Sequence, residues 1–367
     1  MLSQYVLIFG WLGLMAVFGK YANVKKEVLI EGVKETRYYW LFAVIVIMPL
    51  IFIAGFRPDL FGDTGAYILH YDYAPDSLDE LYDYVFTRDK DKGFYFILAI
   101  IKIFITKDPH VFFTIIAAFQ AIVLVSVYRY YSSDLILPLF LFVASADYIT
   151  WMFNGIRQFT AAMIYFAFVP LLLKKKYVPL ILVILFTSLF HQSALILIPV
   201  IFIVQGKAWN KRTLTFIALV IIAIVFVGSF TGIMDNSLQN TQYKNVVTDY
   251  TSMGDDGTHP IRALVYSIPT LIALYGRKRI AESNSKLLNI CVNMSIVSTG
   301  LYFVSVFTSG MFLGRLPMYC SLFNYILLPM ELNLIFEEDM RKIIKLATIV
   351  LYLAYYVFQV HFTWQLF

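Results

Sequence analysis

Runs of roughly 17 to 25 apolar residues, the length that crosses the hydrocarbon core of a bilayer as a helix, recur along the chain from Leu2 to Phe358. Only short polar breaks separate them. They predict membrane helices at Leu2–Phe18, Tyr39–Phe56, Val111–Tyr128, Leu135–Thr150, Phe159–Leu173, Thr213–Met234, Ile261–Tyr275, Leu287–Thr308, Leu316–Phe336 and Ile343–Val360. Two stretches depart from the pattern. The run from Val178 to Val204 is too long for one ordinary span and carries Phe190, His191, Gln192 and Ser193 at its middle, which predicts a tight helical hairpin turning at His191. The run from Gly93 to Ile105, about 13 residues, has the length of a re-entrant or interfacial segment. No strand-type alternation survives across the apolar runs and no internal repeat is visible. The expected fold is all-α: a polytopic integral membrane helical bundle of about 10–12 transmembrane helices, forming a single transmembrane domain over residues 1–367.

Composition agrees with a lipid solvent. Hydrophobic residues make up 60% of the chain and charged residues 14%, against about 25% charged in soluble proteins, and the mean hydropathy is +0.73. The first apolar stretch has no basic segment before it and no small-residue cleavage site after it, so it is expected to be a membrane helix and not a signal peptide. The formal charge of +5 reads as the positive-inside bias of a membrane protein, with no nucleic acid expected as partner. With a hairpin at His191 and a non-spanning 93–105, the clusters Lys25–Lys26, Lys174–Lys176, Lys211–Arg212, Arg277–Arg279 and Arg341–Lys342 share one face. That face is expected to be cytoplasmic. The opposite, outer face then holds the loops at about 57–92 and 235–260, the turn from Trp151 to Arg157, the His191 tip and Arg315.

Cys291 and Cys320 both lie in apolar segments, where a thiol behaves as a small hydrophobe, so neither a disulfide nor a metal site is indicated. There is no Walker A sequence, no dinucleotide fingerprint and no HExxH, which argues against an ATP-driven pump or a zinc protease. No metal and no cofactor are expected.

The polar residues that look unusual converge on the outer face. At the end of the second helix, Arg57, Asp59, Asp63 and Tyr67 surround the helix breakers Pro58 and Gly62, a pattern suited to an anion-binding arginine beside a carboxylate that holds it or acts as a base. Snorkelling and helix capping would explain the same residues. In WMFNGIRQF, Asn154, Arg157 and Gln158 open a helix that is otherwise apolar. An arginine beside a helix N-terminus suits phosphate, and topology-anchoring arginines belong on the other face. His191 with Gln192 and Ser193 suggests a polar cavity, although a lone histidine in an apolar run is often structural. Arg315 repeats the arrangement before another apolar span, with Tyr319 one turn on. Several guanidinium forks suit a diphosphate better than a carboxylate. Between Asp235 and Pro260, Tyr243, Asp249, Tyr250, Asp255 and Asp256 could meet sugars, or the loop could simply be solvated.

GFRPDLFGDTGAYILHY, then DKGFYFILAIIKIF, FNGIRQFTAAMIYFAF and LFHQSALILIPVIF together resemble the EpsG family of Wzy-type exopolysaccharide polymerases. The match in order and spacing runs from about Arg57 to Phe202, with looser agreement to Arg315. Where many relatives have an acidic residue followed by proline and glycine, this chain has Asp91 in DKGFY. The resemblance implies a bacterial cytoplasmic membrane enzyme with its active site facing outward. It implies a GT-C-like, inverting, metal-independent glycosyltransferase that joins undecaprenyl-diphosphate-linked oligosaccharide repeat units, with a chain-length regulator as a further potential partner. On that chemistry Arg57, Arg157 and Arg315 are candidates for the diphosphate and Asp63 or His191 for the base. Tyr67, Asn154, Gln158 and Tyr319 are candidates for orienting sugars or the arginines. A transporter or flippase of lipid-linked oligosaccharide, or an O-antigen-ligase-type glycosyltransferase, would draw on a similar set of residues.

Overall fold

A computed structural model describes residues 2–30, 33–238 and 257–365. The expected outer loop at 235–260, with Tyr243, Asp249, Tyr250, Asp255 and Asp256, falls mostly outside the described residues. The protein is an all-α membrane helical bundle, and the described chain divides into two compact units.

The first unit comprises Met1–Pro170, Val178–Ala194 and Lys342–Phe367. It begins with α1 (Leu2–Tyr21), a hairpin of β1 (Lys25–Ile30) and β2 (Val33–Tyr38), and α2 (Trp40–Gly55). The hairpin is antiparallel, pairing Lys25 with Tyr38 and Ile30 with Val33. It was not expected, because it sits in the polar break between two apolar runs and neither KKEVLI nor VKETRY alternates apolar with polar residues. Residues 57–92, expected as a loop, include two short helices, α3 (Thr64–Asp72) and α4 (Leu81–Phe86). They are anchored by apolar side chains: Tyr67 and Tyr71 at i, i+4 on α3 and Val85 on α4 are all buried.

Next come α5 (Lys92–Phe104), the 13-residue helix, and α6 (Pro109–Tyr131). Helix α6 starts where Asp108 caps the His110 N–H and Pro109 takes the first helical position. It packs along α2 and against α9 (Ile156–Ala167). Between them lie α7 (Ile136–Ala144), α8 (Asp147–Ile149) and a π-helical turn, Thr150–Asn154. The chain continues through the short α10 (Val169–Leu173) to α11 (Tyr177–Ser188), which ends just before His191.

The second unit comprises Leu171–Tyr177 and Leu195–Arg341. It holds α12 (Leu197–Ile203), α13 (Lys211–Val225), α14 (Val227–Leu238), α15 (Pro260–Tyr275), α16 (Arg277–Ser283), α17 (Lys286–Val306), α18 (Met318–Ser321) and α19 (Asn324–Ile335). Helix α17 is its axis, packed by α13, α15, α18 and α19. Hydroxyl contacts join it to α15: the Thr270 hydroxyl lies 2.7 Å from Ser295 and 2.8 Å from Thr299. Small polar side chains of this kind link helices where apolar contact alone gives no preference over lipid. The last helix, α20 (Glu338–Phe358), belongs to the first unit from Lys342 onward.

Several of the expected spans are bent. Ile136–Ala144 and Asp147–Asn154 meet at 75°, Lys211–Val225 and Val227–Ser237 at 104°, and Leu313–Ser321 and Asn324–Ile335 at 50°. Ala146, at φ 63°, makes the first break, and Phe226 leaves helical geometry at the second; neither is marked by proline. By length and composition, among the described residues, three helices can cross a membrane, or up to six if each bent pair is one span. Trp40–Gly55, Tyr177–Ser188, Gln192–Ile203 and Pro260–Tyr275 are shorter apolar helices. The expected 10–12 rested on ten full-length spans with a hairpin over Val178–Val204 and a non-spanning Gly93–Ile105, and bends and short helices are what a composition window does not see.

Candidate functional site

Four segments of the first unit meet around the start of α5. Asp91 occupies the position before α5 with a left-handed backbone, φ 56°, a conformation that aspartate tolerates better than most residues. This aims its side chain inward, where it is 2% exposed. The Gly93 N–H donates to the Leu189 carbonyl at 2.9 Å, and a β-carbon at Gly93 would stand 3.1 Å from that oxygen. Glycine thus lets the start of α5 sit close against the end of α11. That contact brings the His191–Ser193 turn beside Asp91, whose carboxylate also accepts from the Gln192 backbone N–H.

Arg157, in the first turn of α9, reaches this corner. Its Nη1–H donates to Asp91 Oδ2 at 2.7 Å and lies 3.5 Å from the Tyr95 hydroxyl, while its Nε–H lies 3.4 Å from the Tyr67 hydroxyl. Burial opposes the charge on Arg157, but Tyr67, Asp91 and Tyr95 outweigh it and hold the guanidinium's pKa above its usual value. Burial pushes the Asp91 carboxyl up and Arg157 pulls it back. The 2.7 Å contact has the length of a charge-assisted hydrogen bond. Among the described residues Nη2 of Arg157 has no protein partner, and the side chain is 25% exposed. One edge of the guanidinium is therefore pinned and the other is available.

Tyr95 gathers a second cation and an imidazole that sequence reasoning missed. The Arg88 guanidinium carbon lies 3.8 Å from the Tyr95 ring centroid and 4.3 Å from that of Tyr84, with no carboxylate partner among the described residues. Arg157 lies 5.9 Å from the same Tyr95 ring. His70, on α3, meets Tyr95 edge-on at 5.6 Å, and its ring nitrogens make no protein hydrogen bond among the described residues. Burial, then Arg88 and Arg157, lower its pKa below the ordinary 6.5, so at neutral pH the imidazole is uncharged and can accept a proton. Arg88 stands in TRDKDK, which reads as a solvated charge run. The sign that could have marked His70 is its place beside Tyr67 and Tyr71 on one amphipathic turn.

The other expected residues divide. Gln158 Nε2–H donates to Ser193 Oγ at 3.1 Å, and that oxygen shares a 2.7 Å hydrogen bond with His191 Nδ1; these residues adjoin the Arg157 corner. Asn154 ends the π-helical turn and accepts the Asp63 N–H at 2.9 Å through Oδ1. Asp63 itself is exposed. Arg57 is 2% exposed: Nε–H donates to Thr64 Oγ1 at 3.0 Å, Nη1–H to the carbonyls of Ala54 and Met152 at 3.2 and 2.9 Å, and Phe113 covers it at 4.0 Å. Burial brings its pKa down to about 10, so it remains charged. This guanidinium ties the end of α2 to the turn before Asn154. Arg315, exposed in a single 3-10 turn (Leu313–Arg315), and Tyr319, buried on α18, belong to the second unit.

An arginine with one free edge, a second guanidinium on a shared aromatic ring and an uncharged imidazole make a site for an anionic group next to a proton acceptor. No curated protein and no solved structure matches the chain. The EpsG family model, in contrast, matches residues 40–365, nearly the whole chain. The match takes in every segment of the corner around Arg157, and the chain belongs to the EpsG family, whose members are Wzy-like polymerases.

Proposed function

We propose that the protein is a polysaccharide polymerase that joins polyprenyl-diphosphate-linked oligosaccharide repeat units on the outer face of the cytoplasmic membrane. Family membership supports an exopolysaccharide polymerase-like function. The observation that carries the finer reading is the free Nη2 edge of Arg157, with Arg88 beside it on Tyr95.

In this reading a hydroxyl of the acceptor unit attacks the anomeric carbon of the donor, the bond from that carbon to the diphosphate oxygen breaks, and configuration inverts. The leaving diphosphate gains negative charge as the bond lengthens. Arg157 and Arg88 stabilise it there, where little water competes. Asp91 fixes Arg157 so that no reorientation is needed during the reaction. The acceptor hydroxyl loses its proton to His70, which shares the Tyr95 ring with the two cations; Asp63 and His191 are the alternatives that its failure would bring back. Tyr67 steadies Arg157, and Gln158 and Ser193 steady His191. Arg57 acts through the turn that carries Asn154. Arg315 and Tyr319 belong to the second unit and take no part in this step.

Purified protein in lipid, given its authenticated polyprenyl-diphosphate repeat unit, should yield a ladder of lipid-linked oligomers. A unit that stays monomeric while the protein moves it between vesicle leaflets would replace this reading with a flippase.

A further inference from the structure

Within the first unit a cavity of about 540 Å³ opens between α1, α7 and α20, in the size range of ligand sites, about 300–1,000 Å³. Its lining is sorted by charge along its length. One end has Phe9, Leu12, Phe140 and Leu353, closed by the ring contact of Phe9 with Phe140 at 5.7 Å. The other end has Lys20, Lys25, Asp134 and Lys345, with the Tyr38 ring among them.

The charges at that end do not cancel. Asp134 is spent locally: Oδ1 caps α7 by accepting the N–H groups of Ile136 and Leu137 at 3.1 and 3.2 Å, and Oδ2 pairs with Lys345 at 2.8 Å. Lys20 and Lys25 have no carboxylate partner among the described residues. Lys25 lies over the ring of Tyr38, itself part of the lining, at 4.6 Å. The cavity therefore presents two uncompensated ammoniums above an apolar slot. Lysines that only snorkel would not require such a slot beneath them.

We propose that this cavity binds one anionic phospholipid of the surrounding bilayer, with the phosphate between Lys20 and Lys25 and an acyl chain along Leu12, Gly13 and Phe140. Charge complementarity selects the headgroup, and the graded lining selects an amphiphile over a free anion. The site is separate from the Arg157 corner: Tyr38 precedes α2 and Arg57 follows it, and 16 helical residues span about 24 Å. The lysines lie on the face that the positive-inside bias assigns to the cytoplasm, where anionic headgroups attract basic side chains. The inference does not depend on the polymerase reading.

The test is to exchange the full chain into detergent containing equal amounts of phosphatidylglycerol and phosphatidylcholine with matched chains, and to count retained lipid by native mass spectrometry. Wild type should retain one phosphatidylglycerol, preferred about tenfold, which is about 1.4 kcal/mol. Lys20→Gln with Lys25→Gln should abolish the preference. Gly13→Phe, at a position where nothing lies within 4 Å of an added β-carbon, should put its ring into the slot and lose the lipid altogether. Equal retention of the two lipids by wild type would overturn the proposal. So would wild-type retention by Gly13→Phe, or displacement of the lipid by soluble glycerol phosphate alone.

Discussion

The Asp91 carboxylate lies 2.7 Å from the Arg157 guanidinium across 66 residues of sequence. This pair joins the segment before α5 to the first turn of α9, and it leaves the opposite edge of Arg157 uncommitted. An ion pair this buried is costly to break on one side only. Asp91→Ala strands a positive charge and should destabilise the protein by about 3 kcal/mol. Asp91→Ala combined with Arg157→Leu should recover much of that loss, while abolishing polymer formation. Thermal unfolding of the purified variants measures both effects. Additive losses would mean that the two residues do not form a working pair.

The pH dependence of polymerisation should report His70. Because burial and the two arginines lower its pKa, the imidazole becomes the uncharged base already below pH 6.5, and the rate should be flat through neutrality and fall on the acid side. Arg88→Leu removes one depressing charge, so the acid limb should move to higher pH, together with a drop in maximal rate. His70→Gln should remove the limb and slow the reaction about 100-fold or more. An unchanged limb in His70→Gln would return the role to Asp63 or His191.

Gly62 has φ +55°, and a β-carbon on it would lie 1.8 Å from Asn154 Oδ1. Gly62→Ala should therefore cost about 1–3 kcal/mol from backbone strain and the clash. Asn154→Ala in the same chain should relieve part of it. Thermal melting of the two single variants and the double variant tests the coupling, and strict additivity would show that the contact does not matter.

Ser193 receives the Gln158 amide and meets His191. Ser193→Ala removes the hydroxyl that Gln158 and His191 share, at a cost of about 1 kcal/mol. The rate should fall more than the apparent affinity for substrate, because the loss is one of orientation. A change in KM alone would place Ser193 in substrate binding.

Much of this was legible in the chain. The apolar runs gave the helical membrane class, and the order of GFRPDLF, DKGFY, FNGIRQF and LFHQS gave the family. Arg157, Gln158, Tyr67 and His191 stood out because polar groups next to apolar helices need a reason to be there. Arg88 and His70 did not stand out, since a charge run and a histidine in a polar stretch are ordinary in solvent. Only the folding of 57–92 against α5 puts them on Tyr95. Arg57 looked like a ligand-binding arginine from its position, yet its hydrogen bonds run to Thr64, Ala54 and Met152. The bend at Ala146 and the β1–β2 hairpin arise from local backbone geometry and pairing, which hydropathy does not register.

The central claim is that Arg157 takes the leaving diphosphate. The most direct measurement is the affinity of the purified protein for undecaprenyl diphosphate, wild type against Arg157→Ala, with Arg315→Ala in parallel. The account predicts about a 100-fold loss in Arg157→Ala, close to 2.7 kcal/mol, in protein that remains folded. Equal affinity in wild type and Arg157→Ala would contradict it.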